Sequence, residues 1–395
     1  MATMRIISII TCFSACYSLT QCSPISHQLP LGISIDEPNE HGNISIKLFA
    51  ELEELSRIVD ISYCVGMTGI SKPFKCASRC NEFPNFELVD IFNTGPLMSD
   101  SCGYIALDHE KKYDGKGRVI IAFRGTYSIA NTIVDLSTVP QEYVPYPDNP
   151  ENETTSTIDP TAKCTNCTVH SGFWTSWQNT RPLILPHIQA VRLHYPDYQL
   201  HLVGHSLGGA VAALAGLEFD SMGFKPIVTT FGEPRIGNSG LRDWIDLTFS
   251  LPSEHTTKRG SALKAGRYRR ITHVDDPVPL LPLQEWGYRP HAGEIFISKP
   301  SLQPSISDLQ LCYGDEDVEC IAGAEVDEAW FVAVSNNDQV NTGDEKIENL
   351  FEHEQEISKI SKRWGVPIPA RYKIWQLFFA HRDYFWRLGL CVPGG

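Results

Sequence analysis

Gln199-Leu200-His201-Leu202-Val203-Gly204-His205-Ser206-Leu207-Gly208-Gly209-Ala210-Val211-Ala212-Ala213 is the stretch on which the fold turns. An apolar run ending at Val203 reads as a buried strand, and the small-residue run from Gly209 reads as the start of a helix. Between them lies Gly-x-Ser-x-Gly. At average glycine and serine usage, three such fixed positions recur by chance in roughly one chain in seven of this length, so the pentapeptide alone decides nothing. Its two flanks decide it. A strand that turns at once into a helix needs glycines, because the backbones approach closely and the turn is strained, and the turn lifts the Ser206 hydroxyl above the sheet edge. Ser206 is therefore the candidate nucleophile.

Outward from this point, Arg118 to Phe123, Ile227 to Phe231 and Tyr268 to His273 read as further buried strands. Ser171 to His194 and Ala210 to Phe219 read as helices between them. Such β-α-β alternation predicts a mostly parallel sheet with helices on both faces. Before it, Ile46, Leu48, Phe49, Leu52, Leu55, Ile58 and Val59 recur near helical spacing, which predicts a covering helix with Glu51, Glu53 and Glu54 facing away. Residues 23–44, with Pro24, Pro30, Gly32 and Pro38, read as a leader, and residues 45–395 as a single domain. Within it an acidic, polar insertion at about 321–375 carries an amphipathic pattern around Ile347, Leu350, Phe351 and Ile357.

A serine hydroxyl hardly ionises at neutral pH, so a histidine must take its proton, and a carboxylate must hold that histidine in one tautomer. The partners are expected downstream, carboxylate first and histidine second. Asp275 and Asp276 follow the Tyr268 to His273 strand, at the sheet edge where sites of open α/β folds collect. Spacing does not choose between neighbours that point to opposite sides. Two histidines qualify equally from the residues alone, His291 and His381.

Residues 1–22 carry a short basic start and an apolar run too short for a membrane span, which reads as a signal peptide and predicts secretion. No later stretch is apolar enough to span a bilayer. Asn43-Ile44-Ser45, Asn152-Glu153-Thr154 and Asn166-Cys167-Thr168 are glycan-acceptor triplets that fit an exported chain. Twelve cysteines point to an oxidising compartment, and removal of Cys12, Cys16 and Cys22 with the signal leaves an odd number. Cys164 and Cys167 have no second pair or histidine spacing to make a metal site and read as a local disulfide. A formal charge of −14 argues against nucleic acid as a partner. Neither a metal nor a cofactor is expected.

Taken together, Ala122-Phe123-Arg124-Gly125-Thr126, Val169-His170-Ser171-Gly172-Phe173, the Ser206 pentapeptide, Phe231-Gly232-Glu233-Pro234-Arg235-Ile236-Gly237-Asn238 and Asp276-Pro277-Val278-Pro279-Leu280-Leu281-Pro282 make the chain resemble the fungal class 3 lipases and their feruloyl esterase relatives. The resemblance covers about residues 45 to 320 and 370 to 392. It implies the α/β-hydrolase fold with a short helical lid, and a triacylglycerol lipase that would meet its acylglycerol substrate at a lipid–water interface. It selects Asp276 over Asp275, and His381, in its His-x-x-Tyr-Phe setting, over His291. It also implies an oxyanion hole at Thr126 and Leu207. Ile129, Ile133 and Leu136, with Val134 beside them, form an amphipathic stripe where the family carries its lid, although Thr132 replaces the tryptophan common at its centre. The family's pairing implies Cys64 with Cys391, Cys76 with Cys80, Cys164 with Cys167 and Cys312 with Cys320, leaving Cys102 over. A feruloyl or short-chain acyl esterase of the same fold is the nearest alternative, and a catalytically inactive lipid-binding protein the alternative from another class.

Overall fold

A computed structural model of the chain describes residues 44–95, 101–113, 115–126, 136, 143–145, 164–252, 265–323 and 380–392. All lie within one compact unit, Asp36–Gly395. The strands are β1 (Phe86–Asn93), β2 (Cys102–Tyr113), β3 (Lys116–Arg124), β4 (Tyr143–Pro145), β5 (Thr168–His170), β6 (Gln199–His205), β7 (Ile227–Phe231), β8 (Gly237–Asn238), β9 (Tyr268–His273), β10 (Tyr288–Arg289), β11 (Glu294–Ile297) and β12 (Leu309–Leu311). Eight of them form the main sheet in the order β1-β2-β3-β6-β7-β9-β11-β12. From β3 through β11 the neighbours run parallel. The outer pairings, β1 with β2, β2 with β3 and β11 with β12, are antiparallel.

β3, β6 and β7 are mostly apolar because both faces of the sheet are covered, while the two arginines of β9 are buried against Glu51 and Glu294. Val119, Ile121 and Phe123 of β3 and Leu200 and Leu202 of β6 enter one core, while Ile120, Ala122 and Val203 enter the other. Helices α2 (Ser171–His194) and α3 (Leu207–Ser221) cover the first face. Helix α1 (Ile46–Ser62) lies on the second, its first turn capped by Ser45 Oγ, which accepts from the Leu48 N–H at 3.1 Å. The small residues of α3 allow close docking: a Cβ added at Gly216 would stand 2.7 Å from Val228 Cγ2. A fourth helix, α4 (Ser239–Phe249), is capped by Asn238. A second, four-stranded sheet, β10-β8-β5-β4, is built from strands of two or three residues.

One expectation for α1 is corrected. Glu54 does not face solvent but is buried, pairing with Arg118 of β3, which also holds Asp108 of β2. Glu51 pairs with Arg269 of β9 at 2.9 Å. The arginines at the strand starts are themselves buried, so the helix presents carboxylates inward to neutralise them; an uncompensated buried charge would cost several kcal/mol, about 3–5. The four disulfides join Cys64–Cys391, Cys76–Cys80, Cys164–Cys167 and Cys312–Cys320, as the resemblance implied. Cys102 is a buried thiol that accepts from Arg124 Nη2 at 3.1 Å. Of the lid stripe, Leu136 is buried against the α2–α3 core; Ile129, Ile133 and Val134 lie outside the described residues, as does the insertion from residue 324 to 375.

Candidate active site

β6 ends at His205 and α3 begins at Leu207, so Ser206 is the whole of the turn, with φ 58° and ψ −130°. A non-glycine residue held in that region stores strain, and the surroundings hold it there. Its N–H donates to Phe231 O of β7 at 3.0 Å. Crowding explains the two glycines of the pentapeptide: a Cβ at Gly204 would lie 2.2 Å from Gly208 O, and one at Gly208 would lie 2.4 Å from Phe123 O. Any side chain at either position would drive the helix off the sheet.

Asp276 follows β9 in a turn that buries its carboxylate, whereas Asp275 is exposed and only its N–H turns back, to His273 Nδ1. Neighbours that sequence spacing could not separate are thus separated by burial. Asp276 accepts from the Val278 N–H at 2.9 Å, from the Tyr384 hydroxyl, and from His381 Nδ1 at 2.8 and 2.9 Å. Burial and the Asp276 charge hold the Tyr384 hydroxyl well above its ordinary pKa, so it remains a donor. A carboxylate only accepts, so Nδ1 of His381 carries the proton and Nε2 is the basic nitrogen. That Nε2 and Ser206 Oγ are both buried with no hydrogen-bond partner among the described residues. Gly232, φ +58°, lies directly after the carbonyl that holds Ser206; a Cβ there would stand 2.7 Å from His381 Cε1 and 2.8 Å from Asp276 Oδ2. His381 and Asp276 therefore meet over one bare backbone position, directly after the carbonyl that holds Ser206.

His291 is placed differently. Its Nε2 faces Glu233 Oε1 at 3.0 Å and its Nδ1 faces Ala292 O at 2.7 Å, so both ring nitrogens are occupied. Glu233 is held a second time by the Tyr268 hydroxyl at 2.7 Å. The ring packs edge-on against Tyr268, 4.4 Å between centroids.

Thr126 lies two residues past the end of β3, and Leu207 is the first residue of α3, where a backbone N–H has no carbonyl within the helix to bind. β3 and β6 are paired in register through Phe123 and Gly204, which brings both residues to the same sheet edge as Ser206. A Cβ at Gly125 would meet Ser206 Cβ at 2.7 Å, so the chain passes the serine as bare backbone. As to metals, Glu294, Cys312 and Cys320 are the one close ligand group among the described residues, but the two sulfurs are joined as a disulfide and Glu294 holds Arg270 and Thr272.

Sequence reading did not single out Tyr63, which contacts the site from the end of α1, nor the Tyr384 hydroxyl as a ligand of Asp276. Tyr384 stands in the quoted His-x-x-Tyr-Phe segment, so a signal existed. Tyr63 had none, since its partners are remote in the chain.

A strand–serine–helix turn at the C-terminal edge of a largely parallel, doubly covered sheet defines an α/β hydrolase. The profile described as Lipase (class 3) matches residues 120–286. The chain is 53% identical over 365 residues to secreted mono- and diacylglycerol lipase 2 of Gibberella zeae, covering 89% of this chain and 84% of that protein. It is 50% identical to lipase A of Sodiomyces alcalophilus, covering 93% and 87% respectively. Among solved structures it is similar to the Lip2 lipase of Yarrowia lipolytica, with a TM-score of 0.62 and 34% identity over 75% of this chain and 92% of that one. The chain belongs to the class 3 lipase family.

Proposed function

We propose that this lipase cleaves acylglycerol esters, triacylglycerol among them, by two-step acyl transfer. Ser206 attacks the ester carbonyl while His381 Nε2 takes its proton; the imidazolium returns that proton to the leaving alcohol, and water then hydrolyses the acyl-enzyme. Asp276 fixes the ring and stabilises its charge. The Leu207 N–H and Thr126, through its N–H and hydroxyl, receive the carbonyl oxygen as it becomes anionic. The observation that carries this reading is the pair of buried atoms without a hydrogen-bond partner among the described residues, Ser206 Oγ and His381 Nε2.

Ile129, Ile133, Val134 and Leu136 are proposed as the apolar stripe of a lid that exchanges the site for a lipid surface. The name of the Gibberella zeae relative, a mono- and diacylglycerol lipase, favours mono- and diacylglycerols as substrates alongside triacylglycerol. Hydrolysis of mono-, di- and triacylglycerols, below and above their solubility limits, ranks the three and reads the interface. Long-chain activity that appears with the emulsion supports a lipase with a lid. Activity confined to soluble short or aromatic esters would replace it with an esterase on this scaffold.

Export is proposed from the signal-like N-terminus and the four disulfides, and the relative named above is called secreted. Asn166, the asparagine of one glycan-acceptor triplet, is exposed at a turn with φ 55°. Recovery of the protein from the medium of a eukaryotic host, with a mass that falls after peptide N-glycosidase treatment and in Asn166→Gln, supports both. Retention in the cell would count against export.

A further inference from the structure

Tyr63, Gly125, His205 and His381 come from four separate parts of the chain and meet in one buried hydrogen-bonded file. The Gly125 N–H lies 3.0 Å from Tyr63 Oη. Tyr63 Oη lies at short hydrogen-bond distance from His205 Nδ1, and His205 Nε2 lies 2.7 Å from the His381 backbone carbonyl. Tyr63, His205 and His381 are fully buried. The ends of the file fix its direction. A backbone N–H can only donate and a carbonyl can only accept, so each hydrogen between them has one possible place. His205 Nε2 carries the ring proton and donates to His381 O; Nδ1 accepts from the Tyr63 hydroxyl; Tyr63 Oη accepts from Gly125. This needs a neutral imidazole and a protonated phenol. Burial, with the neighbouring His381, pushes the His205 pKa well below its ordinary value, and burial pushes Tyr63 up to about 12.

The two ends of the file matter more than its middle. Gly125 precedes Thr126 on the strand end that faces Ser206, and His381 carries the nitrogen that takes the serine proton. We propose that Tyr63 and His205 are positioning residues that lock the oxyanion strand end to the loop bearing the base, so that the two halves of the site keep one separation. This rests on the assignment of Ser206, His381 and Thr126 given above. The surroundings support a locking role. Cys64, next to Tyr63, is bonded to Cys391. Arg382, next to His381, donates from Nη1 to Gly389 O at 3.1 Å. The Gly389 N–H in turn donates to Asp60 Oδ1 of α1 at 2.7 Å. A Cβ at Gly125 would lie 2.7 Å from Tyr63 Oη, so the contact admits no side chain. The end of α1 thus holds the base loop by a covalent bond, a hydrogen bond and this file at once.

The test compares Tyr63→Phe, His205→Leu and His205→Gln with wild type and Ser206→Ala on a soluble short-chain ester, with kcat referred to the serine titrated by a phosphonate. Glutamine carries one acceptor and one donor about as far apart as the two ring nitrogens, so His205→Gln can span the file, whereas His205→Leu cannot. Misplacement of reacting groups by a fraction of an ångström to 1 Å costs up to about 100-fold. Tyr63→Phe and His205→Leu are expected to lose about 10- to 100-fold in kcat, with KM within about twofold and the pH profile unmoved, and His205→Gln to regain most of it. Tyr63→Phe within about twofold of wild type, or His205→Gln no better than His205→Leu, overturns the proposal. If His205→Leu does not fold, Tyr63→Phe decides by its own criterion, and a His205→Gln kcat more than about 10-fold below wild type overturns the proposal. Activity surviving in Ser206→Ala would instead remove the assignment on which the proposal rests.

Discussion

Two histidine–carboxylate pairs are buried in the molecule, His381 with Asp276 and His291 with Glu233, and they differ in one nitrogen. Each carboxylate is also held by a tyrosine hydroxyl, Tyr384 in one pair and Tyr268 in the other. In the first pair the distal ring nitrogen has no partner among the described residues; in the second, both ring nitrogens face acceptors. A carboxylate partner therefore does not mark a base. Under the proposed assignment, what marks it is a ring nitrogen left without a partner among the described residues. The second pair is a structural clamp that joins β7's exit, β9 and the loop before β11.

The comparison breaks most visibly at the idle nitrogen. Ser206→Ala and His381→Ala are each expected to lower kcat by roughly 10⁴- to 10⁶-fold, read on a soluble ester, while leaving the thermal transition near that of wild type. If His381→Ala keeps activity and His291→Ala does not, the roles of the two pairs are reversed. Next in size is Asp276→Asn, expected to cost about 10⁴-fold because the amide no longer requires the proton to sit on Nδ1. Tyr384→Phe removes one donor to the charged carboxylate and leaves the rest, and a loss of about 10-fold in kcat is expected.

The clamp answers in stability instead. His291→Gln is expected to leave kcat per titrated serine within about threefold and to destabilise by roughly 1–3 kcal/mol in denaturant unfolding, since Glu233 and Ala292 O stay buried with poorer partners. The smallest effect concerns acid. His170 caps α2, its Nδ1 accepting from the N–H groups of Gly172 and Phe173, and burial lowers its pKa to about 4. A histidine depressed from its ordinary value near 6.5 is neutral in the fold and protonates first in the unfolded chain. Its contribution is thus present above about 6.5 and is lost as pH falls toward about 4, a span worth up to roughly 3 kcal/mol. His170→Asn keeps a capping oxygen without the titration, so its stability is expected to fall less steeply across that window, measured by urea unfolding at successive pH values. Equal slopes would mean that His170 does not report there.

The parts of this arrangement that were legible in the sequence are those written in contiguous residues. Four of the five parallel strands, β3, β6, β7 and β9, were read from their apolar or β-branched runs, with β7, β9 and α2 at their expected bounds; β11, four residues long, was not. Ser206 was legible because strand, turn and helix are consecutive. The antiparallel edge was not: β1 and β2 mix charged with apolar residues, and β8 and β10 are two residues long, too short for any period to show. The choice between Asp275 and Asp276, and between His291 and His381, was open to residue-level reasoning because burial decides it, and burial is set by segments far apart in the chain. The same holds for Tyr63, whose partner His205 is 142 positions away. The resemblance favours Asp276 and His381, and these two form a buried hydrogen-bonded pair.

The Cys64–Cys391 bond spans 327 positions, and the stretch it fastens carries His381. During synthesis the elbow and Asp276 leave the ribosome long before that stretch does. A nascent chain can thus present a formed serine turn and still be chemically inert, and the proposed base arrives only with the segment whose cysteine must find the first helix. Under the proposed assignment, the docking of that segment against the end of the first helix is the step that completes the site.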